Sequence, residues 1–169
     1  MTQIAGDAPS GIDPAHFRHV LGHFPTGVTA VTASTARGPV GLAIGSFASV
    51  SLDPPLVAFF AGSGSGSWAG IQAAGAFCVN VLAADQEDVC RRFASRVEDK
   101  FTGLGWRAGP SGAPRLAGAV AWIDCTVEAI TEAGDHDLCI GRVTDLAVNP
   151  AERHGPLLFL RGGYGRFST

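Results

Sequence analysis

The sequence predicts a mainly β protein, a Greek-key barrel of six or seven strands with a few short helices. Three observations carry that expectation. The 23 glycines and 10 prolines fall in short clusters between apolar runs, the punctuation of many short strands joined by turns. Val28 to Thr35 is rich in the Val and Thr that suit a pleated surface. Ala119 to Ile130 alternates apolar and polar side chains, the period of a strand with one buried and one wet face. Closing such a sheet on itself is the simplest way to protect its edges.

The elements follow in chain order. Asp13-Pro14 supplies an N-cap and a proline for the first helical position. Phe17, Val20, Leu21 and Phe24 then recur at helical spacing on one face until Pro25 ends the segment. His16, His19 and His23 share a different face with no carboxylate or thiol beside them, so they are expected to be solvated and no metal site is expected. Val28 to Thr35 and Val40 to Val50, on either side of the Arg37-Gly38-Pro39 turn, read as a hairpin. Leu56 to Ala61 and Phe77 to Leu82 are continuous apolar runs, expected as strands buried on both sides. Ser67 to Ala74 allows one or two helical turns between them. Gln86 to Ala94 is amphipathic, with Val89, Cys90 and Phe93 on one side, and is expected to pack over a barrel end. Beyond Ile130, the Ala133-Gly134 turn leads into an antiparallel partner at His136 to Val148, and Leu157 to Leu160 makes a last short strand.

Composition bounds the function. With 169 residues, 46% of them hydrophobic and 16% charged, the chain can bury one core and has no room for a second. An N-terminal extension, residues 1–14, and one domain, residues 15–167, are expected. Twelve Lys and Arg against fifteen Asp and Glu leave a net charge of -3, so no basic surplus exists for a phosphate backbone and no nucleic-acid partner is expected. The apolar runs fall far short of the roughly 18 to 20 residues of a membrane span. Met1 to Gly11 has neither the positive region nor the apolar core of a secretory signal, which makes a cytoplasmic address the expectation. Cys78, Cys90, Cys125 and Cys139 form no C-x-x-C pair and are expected as buried free thiols.

Three segments carry candidate chemistry. In Ser46-Phe47-Ala48-Ser49-Val50-Ser51, hydroxyl residues alternate with apolar ones ahead of the rigid Asp53-Pro54-Pro55 turn. Backbone groups and hydroxyls there could bond the edge of a planar heterocycle; the other reading is a Ser-rich bent strand. Gly62-Ser63-Gly64-Ser65-Gly66-Ser67-Trp68 leads into a short helix whose free N–H groups could hold an anion such as phosphate, or it is a flexible surface loop. It matches neither the P-loop nor the dinucleotide fingerprint. Arg91 and Arg92 could add positive charge there or be solvated. Gly134-Asp135-His136 sets an imidazole at a turn, either to exchange a hydrogen bond with a carboxamide or ring nitrogen at the barrel mouth or as a structural turn residue. The Gly-x-Ser-x-Gly match at Gly62 to Gly66 lacks a long following helix, so hydrolase chemistry is weakly supported. Without a cofactor, the side chains offer no route to oxidation or reduction.

Several motifs together resemble one family. They are Phe24-Pro25-Thr26-Gly27-Val28-Thr29, Ser46 to Leu52 with Pro54-Pro55, Phe77-Cys78-Val79-Asn80-Val81-Leu82 with Asp85-Gln86, Arg92-Phe93-Ala94, Gly134-Asp135-His136, and Pro156 to Phe159 through Gly163-Tyr164-Gly165. In order and over roughly residues 15 to 167 they resemble the short-chain flavin reductases. The resemblance implies an FMN-binding split barrel that forms a homodimer with flavin near the subunit interface. It also implies reduction of FMN or FAD by NADH or NADPH, often for a separate flavin-dependent monooxygenase. By position, Gly45, Ser46, Phe47, Ala48, Ser49, Val50 and Ser51 would line the isoalloxazine and ribityl chain. Ser65, Ser67 and Trp68 would lie near the phosphate, Asn80 and Arg92 would support the site, Thr26 and Tyr164 would border it, and His136 would lie near the nicotinamide as the candidate catalytic residue. The chain departs from the family at Ala43, where members commonly carry Thr, and at Gly45; backbone amides would replace side-chain bonds there. Two alternatives stay open: an FMN-binding barrel that carries or stores electrons, and a non-enzymatic interaction domain. With no Rossmann unit, the nucleotide preference is not legible.

Overall fold

The computed structural model describes residues 11–167; the Met1 to Gly11 segment and the expected extension of residues 1–14 lie outside them up to residue 10. Helix α1 (Pro14–Leu21) begins as its sequence requires, the Asp13 carboxylate accepting from the His16 amide at 2.8 Å and Pro14 standing at the start. Its apolar face is uncovered: Phe17, Val20 and Leu21 are about half exposed, and Phe24 beyond them is 72% exposed.

Strands β1 (Thr26–Gly27), β2 (Thr29–Thr35), β3 (Gly38–Ile44), β4 (Ala48–Leu52) and β5 (Pro55–Gly62) follow, then α2 (Gly66–Ala74), β6 (Ala76–Val81) and α3 (Glu87–Ala94). The chain continues through β7 (Trp106–Ala108), β8 (Pro114–Leu116), β9 (Ala121–Ala133), β10 (His136–Val148), β11 (Leu157–Leu160) and β12 (Gly163–Arg166). Seven of these strands form the main sheet in the order β3-β2-β6-β9-β10-β5-β4, all neighbours antiparallel. Two small sheets, β1-β11-β12 and β7-β8, flank it.

The edges of the main sheet, β3 and β4, are separated in sequence only by Gly45 to Phe47, so the chain itself carries the sheet round to closure. Ser46 stitches the seam: its hydroxyl accepts from the Phe60 amide at 2.9 Å and donates to the Phe60 carbonyl at 3.3 Å. The single strand expected over Val40 to Val50 is therefore two strands on opposite edges. The break falls at Gly45, where a Cβ would lie 3.2 Å from Thr26 Oγ1, so the missing side chain lets the backbone pass close to β1.

Val31, Leu42, Phe59, Phe77 and Val79 fill the barrel interior, and Trp68 and Ile71 of α2 complete it. The Phe59 ring meets Trp68 and Phe77 edge-on, with centroids 5.7 and 5.5 Å away. Helix α3 buries Cys90 and Phe93 against β2 and β3 in a second cluster. Phe93 comes so near Gly41 that a Cβ there would sit 2.5 Å from its ring. Strand β6 is buried on both sides as expected. Strand β5 is not: Val57, Phe59 and Ala61 are buried, but Phe60 between them is exposed.

The face of β9 expected to be wet is wet only in part. Thr126 and Glu128 are exposed, whereas Trp122 and Asp124 are buried. The β7–β8 hairpin, which alternation did not reveal, lies over them. Arg115 Nε donates to Asp124 Oδ2 at 2.7 Å, Ser111 donates to the same carboxylate, and Trp122 Nε1 donates to the Leu116 carbonyl at 2.9 Å. Pairing of this kind is what makes a buried carboxylate tolerable. Strands β10 and β11 hold the bounds read from sequence, while β12 was not anticipated. The four cysteines are buried and free, and burial pushes the thiols of Cys125 and Cys139 up to about 12. Among the described residues no helix is long and apolar enough to cross a membrane.

Candidate functional site

A groove of about 1590 Å³ opens between the start of α2, strand β3 and the segment after α3, with Leu42, Ala43, Ser65, Ser67, Phe93 and Lys100 among its walls. Ser65 caps α2, its hydroxyl accepting from the Trp68 amide at 3.3 Å. The first amides of a helix have no partner within it and favour an anion. Lys100 comes from the opposite wall and is only 8% exposed. Its ammonium donates to the carbonyls of Phe93 at 2.9 Å and Gly41 at 3.1 Å and to the Ser67 hydroxyl at 3.4 Å. These partners are neutral oxygens, and burial pulls the lysine below its ordinary pKa. An anion against Ser65 and Ser67 would compensate that charge.

Strand β4 leads away from the groove along β5. As an edge of the main sheet it has, among the described residues, a strand partner on one side only, which leaves backbone groups on the other side for a ligand. Ser49 pairs with Val57 and Ser51 with Leu56, so Val50 is the extra residue of a bulge, 52% exposed. Gly45, Ala48 and Ser49 are exposed, Ser51 is half-buried, and Phe47 packs against the interior cluster. Thr26 stands beside Gly45.

The tip of the β9–β10 hairpin meets the same end of β5. His136 lies opposite Gly62 in the ladder, and Ser63 donates to the Asp135 carbonyl through its amide at 3.2 Å and its hydroxyl at 2.9 Å. The His136 imidazole is half exposed, with Nδ1 2.7 Å from Asp135 Oδ1. That bond holds the Asp135 carboxyl below its ordinary value and leaves Nε2 as the ring nitrogen for a ligand.

The fold thus gathers Ser46, Ser65, Ser67 and His136 around the end of β5, with Gly45, Thr26 and β4 adjoining. Three residues assigned by resemblance stand elsewhere. Asn80 is fully buried: its amide donates to the Ala30 carbonyl at 3.0 Å and to Thr32 Oγ1 at 3.1 Å, and its side-chain oxygen accepts from the Leu116 amide at 2.7 Å. It ties β6 to β2 and β8. Trp68 is likewise fully buried, so its side chain anchors α2 and cannot touch a ligand in the groove. Arg92 is exposed and donates to the Thr102 carbonyl at 2.6 Å, outside the groove wall. Lys100 is the buried cation of the groove, whose wall also carries Arg37 and Arg96, and sequence reasoning missed it; being the single lysine beside eleven arginines was the available signal. Tyr164 on β12 sits over α3, its hydroxyl 3.3 Å from Cys90 Sγ and its ring 4.9 Å from the Arg91 guanidinium.

A buried ammonium beside a hydroxyl-lined helix start, next to an open strand edge and a half-exposed imidazole, fits a phosphate-bearing planar ligand of the flavin type. The comparisons agree: residues 21–168 match the flavin reductase like domain, and the chain belongs to that family of split-barrel oxidoreductases. It is 53% identical over 171 residues to a flavin reductase of Pseudomonas putida, covering 100% of this chain and 99% of that one. It is 49% identical over 167 residues to the reductase subunit HsaB of a flavin-dependent monooxygenase of Rhodococcus jostii, covering 97% and 85%. Among solved structures, the Streptomyces globisporus NADH:FAD oxidoreductase SgcE6 in complex with NAD and FAD fragments matches with a TM-score of 0.86 at 40% identity, over 92% of this chain and 93% of that one.

Tyr164 is the chain's one tyrosine, so its titration can be read without interference. Burial and then the bond to Cys90 push its phenol from 10.0 up to about 12. A raised phenol stabilises the fold fully below the unfolded value of 10.0 and loses that contribution as pH climbs through about 12. Tyrosinate absorbance is expected to rise with a midpoint near 12, or together with alkaline unfolding if that comes first; a midpoint near 10 in folded protein would refute this.

Proposed function

We propose that this chain is an NAD(P)H-dependent flavin reductase that reduces FMN or FAD with NADH or NADPH and supplies reduced flavin to a partner flavin-dependent monooxygenase. The observation that carries the proposal is the groove, with the Lys100 ammonium and the capped start of α2 at one side and His136 near the same end of β5. Residues 15–167 act as one domain behind an extension of residues 1–14.

In this reading Ser65, Ser67 and Lys100 hold the flavin phosphate. The edge of β4, from Gly45 to Ser51, lies along the ring system and ribityl chain, with Thr26 at its border. Bound flavin supplies the acceptor for a hydride from the reduced pyridine nucleotide. The chain contributes alignment and electrostatics. His136, steadied by Asp135, exchanges a hydrogen bond with the nicotinamide carboxamide and keeps that ring facing the open side of the site. A groove open to solvent suits a product that must leave for another enzyme. The uncovered apolar face of α1 and the exposed Phe24 support a homodimer in which a second copy covers them. Four free thiols suit the reducing cytoplasm.

Steady-state oxidation of NADH and NADPH, each with FMN and with FAD, is expected to depend on added flavin, and His136→Ala to lower kcat/KM by roughly ten- to a hundredfold. Flavin binding with neither nucleotide oxidised would contradict the proposal and favour an electron carrier. Sedimentation equilibrium is expected to give twice the chain mass; a monomer would contradict the homodimer.

A further inference from the structure

The Gly62 to Ser67 turn holds glycines at positions 62, 64 and 66 and has little stiffness of its own. Contacts to a phosphate nevertheless require Ser65 and Ser67 to be held in place. The tip of the β9–β10 hairpin grips both ends of this turn. At the first end, Ser63 bonds the Asp135 carbonyl and Gly62 stands opposite His136. At the second, Trp68 Nε1 donates to Asp137 Oδ2 at 2.7 Å, and Gln72 Nε2 donates to the same oxygen at 3.4 Å. Asp137 is 9% exposed and shares the buried face of β10 with Cys139 and Gly141. Packing alone would hold an indole there with an apolar neighbour. A carboxylate at this place is costly unless its bonds have a use.

We infer that Asp137 is a positioning residue: by holding Trp68 it fixes the first turn of α2, and with it Ser65 and Ser67, in register with His136. Consecutive residues of one strand then set the phosphate end and the nicotinamide end of the groove. The inference rests on the flavin reading above and deepens it. Asp137→Asn keeps an oxygen that accepts from the indole, whereas Asp137→Ala leaves the indole N–H buried without a partner. Trp68→Phe removes the donor and keeps an aromatic ring in the core.

Steady-state kinetics of the full chain at saturating pyridine nucleotide, with FMN and riboflavin in parallel, separates positioning from a general structural role, because riboflavin lacks the phosphate. Asp137→Ala is expected to raise the KM for FMN about tenfold. Its kcat and its KM for riboflavin should stay within about twofold of the wild type. Asp137→Asn should restore the KM for FMN. Trp68→Phe should repeat the Asp137→Ala effect, and the double variant should be no worse than either single one. If Asp137→Ala does not fold, Trp68→Phe carries the same comparison. Equal losses for FMN and riboflavin, or an unchanged KM for FMN, would overturn the inference while leaving the flavin reading intact. A wild-type chain that reduces neither flavin would overturn the reading beneath it.

Discussion

Between Ile44 and Ala48 the backbone leaves one edge of a seven-stranded sheet and arrives at the other, and the Ser46 hydroxyl secures the crossing by both accepting from and donating to Phe60. Most of the site follows from that closure. It brings the Ser-rich segment beside the end of β5, where the turn into α2 begins. It leaves β4 with one unpaired side, so that a strand edge, normally a liability, becomes a set of directed donors and acceptors. It also encloses Phe59, Phe77 and Trp68 in an interior of edge-on rings that gives the loops a firm base.

Charge is placed with similar economy. Buried charge serves the structure in one place and adjoins the groove in another. Arg115 and Asp124 satisfy one another beneath the β7–β8 hairpin, and their bond fastens that hairpin to β9. Lys100 has no such mate among its hydrogen-bond partners. An ammonium held by carbonyls at the wall of a groove is an arrangement that a bound anion improves, and the capped start of α2 faces the same space. The β9–β10 hairpin adds rigidity where the glycine-rich turn lacks it, through Asp135, His136 and Asp137 in succession.

What was legible in the sequence was local. The Asp13 cap, the Gly134 turn and the long β9–β10 hairpin depend on a few adjacent residues, and they stand where periodicity and turn chemistry put them. The division of Val40 to Val50 into β3 and β4 was not legible, because apolar residues run on through a glycine whose role is set by Thr26, far from it in the fold's order of strands. Trp122 and Asp124 read as a wet face because alternation records two sides of a strand without recording what later covers them. The family motifs name positions in the chain but not the direction of each side chain: Asn80 and Trp68 point into the core, and Arg92 turns toward Thr102. Lys100 and Asp137 belong to no motif that was read, since each acquires its meaning from a partner on another element.

In the proposed function, the groove between α2, β3 and Lys100 takes the phosphate of a flavin whose ring lies along β4. A crystal structure of the chain grown with FMN tests it most directly. The phosphate oxygens are expected within about 3 Å of the Ser65 and Ser67 hydroxyls and Lys100 Nζ, with the ring edge on the backbone of Gly45 to Ser51. A flavin seated elsewhere, with this groove filled only by solvent, would contradict it.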